Sequence, residues 1–227
     1  MTSAVLKYIA IIAMVIDHIG EFVISDLNGF DSSIYMWCKI IGRITFPIFA
    51  FLLVEGFKKT KNLKGYFFNL LIFALLSEIP FDLVRSGNPI DFEYQNIMFT
   101  LLINLLMIYI MEETKIKNIN LKLLFECVLV IIFSGVSYLL KLDYLFYAPL
   151  VIYFYYKFYD NKLMRFITSE ASFYFQFFSF VHISNILIYF YNGERGRQNK
   201  YFFYFFYPAH LLLIYIFKIN FINWKKI

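Results

Sequence analysis

Apolar blocks nearly as long as a bilayer is thick follow one another along the whole chain, and no other feature restricts the fold so strongly. Eight can be marked, at 4–24, 34–57, 64–84, 96–112, 121–140, 143–159, 171–192 and 201–219. A helix needs about 20 residues to cross the hydrocarbon core. Only 171–192 reaches that length without Asp, Glu, Lys or Arg; the others do so by including a charge. With 61% of residues hydrophobic and 16% charged, against about 25% charged in an average soluble chain, there are too few polar groups to cover a water-soluble domain. Disorder and a secreted disulfide scaffold are excluded on the same ground, since there is much to bury and only two cysteines. Cys38 and Cys127 both lie in apolar runs and read as small buried hydrophobes. Strand-like segments such as YLFYAPLVIYFYYKFY lack the sustained alternation of an outer-membrane barrel. The expected architecture is therefore an all-α integral membrane protein: a single domain over 1–227, a polytopic bundle of about eight transmembrane helices.

Charge placement predicts sidedness. With the N-terminus on the cytoplasmic side, 14 Lys and Arg fall in inside loops and 5 in outside loops, which places both termini in the cytoplasm. The net charge of +5 thus reports topology, and no nucleic-acid partner is expected. One loop is out of place: GERGRQNK (193–200) is basic yet falls outside, so either it lines a site for an anionic ligand or one span is miscounted. The first 22 residues look superficially like a signal peptide, but Asp17-His18 interrupts the apolar run and no small-residue cleavage site follows. The segment is expected to be retained.

Ionisable residues inside apolar spans are the candidates for function, because each costs at least about 2.5–3.5 kcal/mol to insert. The first span holds Asp17, His18 and Glu21. Lys7 and His18, eleven residues apart, share one helix face about 16 Å apart along the axis. Arg43, nine residues into the second span, is at a depth comparable with His18, and Asp17 is its obvious partner. Pro47 is expected to kink that helix. Glu55 either pairs with Lys58 or Lys59 or supports a site. Glu78 and Asp82, at i, i+4 around Pro80, could do acid–base work, or Asp82 could pair with Arg85. His182 reads as a satisfied bundle histidine. Asn192-Gly193 marks a turn, and His210 follows a helix-distorting Pro208. The three histidines lie on three separate helices without HExxH or paired-Cys spacing, so no metal is expected. Dinucleotide, P-loop and GxSxG patterns are absent from the sequence.

The segments LKYIAIIAMVIDHIGE, IGRITFPIFAFLLVEGFKKTKN, SEIPFDL, NIMFTLL, YNGERG and FFYPAHLLLIY together closely resemble the TraX family, whose founding members acetylate the N-terminus of conjugative pilin. The resemblance runs from the first helix to the last. That family is similar in turn to transmembrane acyltransferases with an R/K-x10-H motif in the first helix, a spacing that Lys7 and His18 match. The basic RxxR motif of that wider group has no counterpart here at a corresponding place. The resemblance implies a multi-pass acetyltransferase of the bacterial inner membrane, with acetyl-CoA as donor and a protein, glycan or lipid acceptor at the outer face. It further implies His18, Asp17 and Arg43 as the catalytic set and Lys7, Lys58 and Lys59 as contacts to the CoA phosphates. Glu55, Glu78, Asp82, Asn192 and His210 take supporting or acceptor-side positions. The alternative reading is a proton-coupled transporter or channel using Asp17, His18, Glu78 and Asp82 as a relay.

Overall fold

A computed structural model describes residues 1–173 and 180–225, and every regular element among them is helical. In chain order these are α1 (Ser3–Ile19), a π-helical turn (Gly20–Ile24), α2 (Ser25–Asn28), α3 (Ser33–Gly42), α4 (Thr45–Lys59) and α5 (Leu63–Ser86). They are followed by α6 (Ile97–Glu113), α7 (Ile119–Leu139), α8 (Tyr147–Lys157), α9 (Lys162–Ser172), α10 (Val181–Tyr189) and α11 (Lys200–Lys225). Local sequence starts several of them. The side chains of Thr2, Ser32, Asn96 and Asn118 each accept a first-turn backbone N–H, at the heads of α1, α3, α6 and α7.

Five stretches are long and apolar enough to cross a membrane: Ser3–Asn28, Ser33–Lys59, Leu63–Ser86, Ile119–Leu139 and Tyr201–Asn220. Helix α6, with 17 residues, stands at the lower end of the spanning range of about 17–25. The expected span at 143–159 is a helix of only 11 residues. Of the expected span at 171–192, α10 accounts for 9 residues, and 174–179 lie outside the described residues. Five of the eight apolar blocks thus coincide with helices long enough to cross, among the described residues, and an apolar run can also serve a short buried helix such as α8. Large apolar side chains point outward along the long helices, including Ile12, Phe68, Ile131 and Leu213, as a lipid solvent allows. Cys127, expected to be buried, lies on such an outward face of α7.

The chain forms two compact units. The first comprises Met1–Phe49, Leu75–Asp91 and Phe173–Ile227; the second comprises Ala50–Ala74 and Phe92–Ser172. In the second, α6, α7, α8 and α9 pack in sequence order, and Asn96, fully buried, both caps α6 and donates to the carbonyl of Ala74 at 2.9 Å.

In the first unit, α1 packs against α3 on one side and α11 on another. Helices α1 and α11 run parallel. Lys7 lies over the Phe203 ring at 5.0 Å, His18 meets His210, and Asp26 pairs with Lys218 at 2.9 Å. Each successive contact advances along α11 and along the stretch from α1 through the π-helical turn to α2. Lys218 also donates to the carbonyl of Val84 near the end of α5, at 3.4 Å. Within this helix pair the end of α11 thus lies opposite the start of α1. An even number of crossings would return the chain to its starting side, whereas parallel first and last spans require an odd number. Charge counting does not distinguish the two. Exchanging the three cations of the 193–200 loop for the three after residue 217 leaves the tally at 14 against 5.

The basic 193–200 loop belongs to the same unit. It sits at the start of α1, where Ser3 N–H donates to Glu194 O at 2.9 Å and Ala4 N–H to Arg195 O at 3.1 Å. Two of the orphan donors of the first turn are satisfied in this way.

Candidate functional site

Helix α1 delivers its polar residues to two different neighbours. Residues 17 and 18 are about 100° apart around a helix, so Asp17 turns to α3 and His18 to α11. The π-helical turn begins two residues after His18; such turns insert a residue into the helical register and recur at functional sites.

On the α3 side, Lys39 Nζ sits 2.9 Å from Asp17 Oδ1 and 2.9 Å from Glu21 Oε2. Tyr35 Oη donates to the same Glu21 oxygen at 3.2 Å. Arg43, the expected partner, stands within coulombic reach of Asp17, and Lys39, which was not expected, bridges it directly. The sequence did carry a signal for it, since acids at 17 and 21 on a buried helix call for a cation at matching depth. The backbone of Gly42 makes room for this cluster, because a Cβ there would lie 2.2 Å from Asp17 Oδ1. The interruption of the second span is also upstream of the expected site. The helix breaks at Arg43-Ile44, and Pro47 sits in the first turn of α4, where its missing N–H removes no intrahelical bond.

On the α11 side, His18 Nδ1 and His210 Nε2 are 2.7 Å apart. The two rings are nearly parallel at 8°, with centroids 5.0 Å apart. That separation matches the N···N distance plus the radii of both rings, so the imidazoles lie edge to edge in one plane. His210 Nδ1 is 2.9 Å from the carbonyl of Phe206. A carbonyl can only accept, so His210 carries its proton on Nδ1 and presents a lone pair at Nε2. His18 must then donate from Nδ1, which leaves His18 Nε2 as a proton acceptor. His210 is buried and His18 half-buried. The pair is walled by Phe22, Phe206 and Tyr207, whose rings lie 5.6, 5.1 and 5.5 Å from the nearer histidine. Sequence reasoning placed His210 in a supporting position without pairing it to His18. The parallel register of α1 and α11 was the missing information.

At the head of α1, Lys7 donates to Gln198 Oε1 at 2.7 Å. Lys7 and His18 thus share the α11 face, as their spacing predicts. Asn192 shapes the loop through contacts of both its amide atoms with Glu194, at 2.8 and 3.1 Å. Gly196 has φ +70°, and a Cβ there would lie 2.6 Å from Thr2 Oγ1. Asp82, buried, accepts the backbone N–H of Asp91 at 2.8 Å and so ties down the segment after α5. Glu78 is half-buried on the same helix, and His182 is half-buried on α10.

The remaining candidates belong to the second unit. Glu55, buried, takes Lys59 at 2.6 Å and the Tyr159 hydroxyl at 2.5 Å. Lys58 pairs with Glu112 at 3.0 Å and lies over the Tyr156 ring at 4.5 Å. Both lysines therefore have carboxylate partners. Two buried charges here were not singled out from sequence. Glu126 pairs with Lys157 at 2.5 Å. Arg165 donates to Tyr159 O at 2.6 Å and stacks over Phe51, and burial holds its guanidinium below the usual arginine range. Among the described residues no group of three or more His, Cys, Asp and Glu could hold a metal.

Long apolar helices around an interior histidine pair and an ion-paired acid cluster define a helical membrane protein with a polar site inside it. The chain belongs to the TraX protein family, whose sequence model matches residues 2–218. It is also similar to the probable fimbrial assembly protein FimC, serogroup H1, of Dichelobacter nodosus, with 28% identity covering 92% of each chain. No solved structure matches it.

Proposed function

We propose that this protein is a multi-pass acetyltransferase of the bacterial inner membrane, moving an acetyl group from cytoplasmic acetyl-CoA to an amine or hydroxyl at the outer face. The observation that carries the reading is the tautomer imposed on His18, whose Nε2 is held as a base by the bond to His210. In the step envisaged, His18 Nε2 takes the proton of the acceptor N–H or O–H as that atom attacks the thioester carbonyl. The C–S bond breaks, and the imidazolium returns the proton to the departing thiolate. His210 keeps the ring oriented through both protonation states. Asp17, with Lys39 and Arg43, fixes α1 against α3 and thereby fixes where His18 points. Lys7 stands at the donor end, where the phosphates of a long anionic donor would rest. The fimbrial assembly name of the relative favours a pilin-type N-terminal amine as acceptor, with cell-surface glycan and lipid as the other acceptor classes.

The test is transfer of labelled acetyl from acetyl-CoA into membranes containing the wild-type protein or His18→Ala. Loss of a general base lowers the rate by about 10²–10⁴. A His18→Ala protein retaining more than about a tenth of wild-type turnover, far above that expected loss, would remove His18 from the chemistry.

A further inference from the structure

The cations of α1's first turns and of the loop that caps it have no carboxylate to neutralise them among the described residues. Among the described residues, Lys7, Arg195 and Arg197 make no salt bridge, although Arg195 stands within coulombic reach of Lys7. The one acid of the loop, Glu194, is engaged by the Asn192 amide. Lys58 and Lys59, by contrast, each carry a glutamate partner. The arginine side chains do not hold the loop in place. Backbone carbonyls of Glu194 and Arg195 do so by capping α1, helped by the Ser3 hydroxyl on Arg195 O at 2.9 Å. Lys7 and Arg195, like charges within coulombic reach of each other, and the exposed Arg197 on the same loop stand ready for an anion.

Aromatic faces adjoin these cations. Phe203 lies under the Lys7 ammonium. Tyr8 packs on Phe203 at 5.3 Å between centroids and on Phe202 at 6.3 Å, and Tyr8 and Phe202 are 45% and 44% exposed. Guanidinium groups suit phosphate oxygens, and open aromatic rings suit a nucleobase.

We propose that Arg195 and Arg197, with Lys7 and the Tyr8–Phe202 surface, bind the phosphorylated nucleotide end of the acyl donor. This rests on the acetyl-donor reading above and places that donor at one end of α1, about 16 Å along the helix from His18. Phosphate could also come from an anionic lipid headgroup, so the assay separates the two. Wild type and the Arg195→Ala/Arg197→Ala variant are reconstituted in nanodiscs of phosphatidylcholine alone or with phosphatidylglycerol. Affinity for CoA and for 4′-phosphopantetheine, which lacks the nucleotide, is measured by calorimetry. Because backbone atoms secure the loop, the variant should fold as wild type does.

The expected result is that wild type prefers CoA over 4′-phosphopantetheine by about tenfold or more in phosphatidylcholine, and that the variant loses most of this preference, as removal of charge-assisted phosphate contacts implies. A variant that binds CoA as tightly as wild type overturns the proposal. So does one whose only change is weaker retention of phosphatidylglycerol. Wild-type protein that binds neither compound would instead remove the acetyl-donor reading itself.

Discussion

His18 and His210 lie 192 positions apart in sequence, yet meet edge to edge in one plane with a 2.7 Å bond between Nδ1 and Nε2. Because the Phe206 carbonyl fixes the far proton of His210, the orientation of the first helix's histidine is decided by the last helix. A serine-type triad uses a carboxylate for the same task, to hold an imidazole in the tautomer that leaves its other nitrogen free.

His210→Leu should therefore lower acetyl transfer by about tenfold or more, since it leaves a buried N–H on His18 unsatisfied at about 1–3 kcal/mol. His210→Gln, whose amide oxygen can still accept from Nδ1, should keep more activity than His210→Leu. Turnover and its pH profile check this. Equal activity in the two variants would mean that His210 fills space and does not orient His18.

Lys39→Met should destabilise the protein by about 2 kcal/mol, between the value of an exposed pair and that of a buried one, because it strands Asp17 and Glu21 side by side. Thermal unfolding in detergent reads the loss. Adding Asp17→Asn should recover part of it, and a double-mutant cycle with no coupling would refute the pairing.

Gly42→Ala tests the close approach of α1 and α3. A Cβ that would fall 2.2 Å from Asp17 Oδ1 forces the carboxylate or the helix to move, at about 1–3 kcal/mol. A lowered Tm with weakened transfer is expected. Unchanged stability would show that the helices are not packed this closely.

The parallel course of α1 and α11 predicts topology. In a background lacking Cys38 and Cys127, single cysteines at Asn28 and Asn220 should react with an impermeant maleimide from one side of the membrane, and a cysteine at Arg195 from the other. Labelling of all three from the same side would reject the parallel arrangement.

Sequence alone was informative where one helix determines the outcome. The eleven-residue interval from Lys7 to His18 put both on one face of α1, and both do meet α11. The i, i+4 pair Glu55 and Lys59 was among the alternatives and forms. What could not be read depends on which helices become neighbours and in which direction. Lys39, on α3, bridges Asp17 directly, and Arg43, the cap of that helix, stands within coulombic reach of the same carboxylate. The partner of His18 lay in the last helix, 192 positions away, and no local pattern in α1 names it. Glu126 and Arg165 sit in segments that read as apolar span and loop, and only tertiary packing buries them.

The loop at 192–198 and helix α11 have a consequence for biogenesis. Helix α1 is synthesised first, but the carbonyls that cap it and the imidazole that orients His18 belong to the final part of the chain. Until α11 inserts, a nascent chain in the translocon holds His18 without its orienting bond, so the histidine pair cannot arise on a partial product. A ribosome stalled before codon 210 would leave α1 without the His210 partner of His18, with exposed polar groups as a recognisable mark for quality-control proteases.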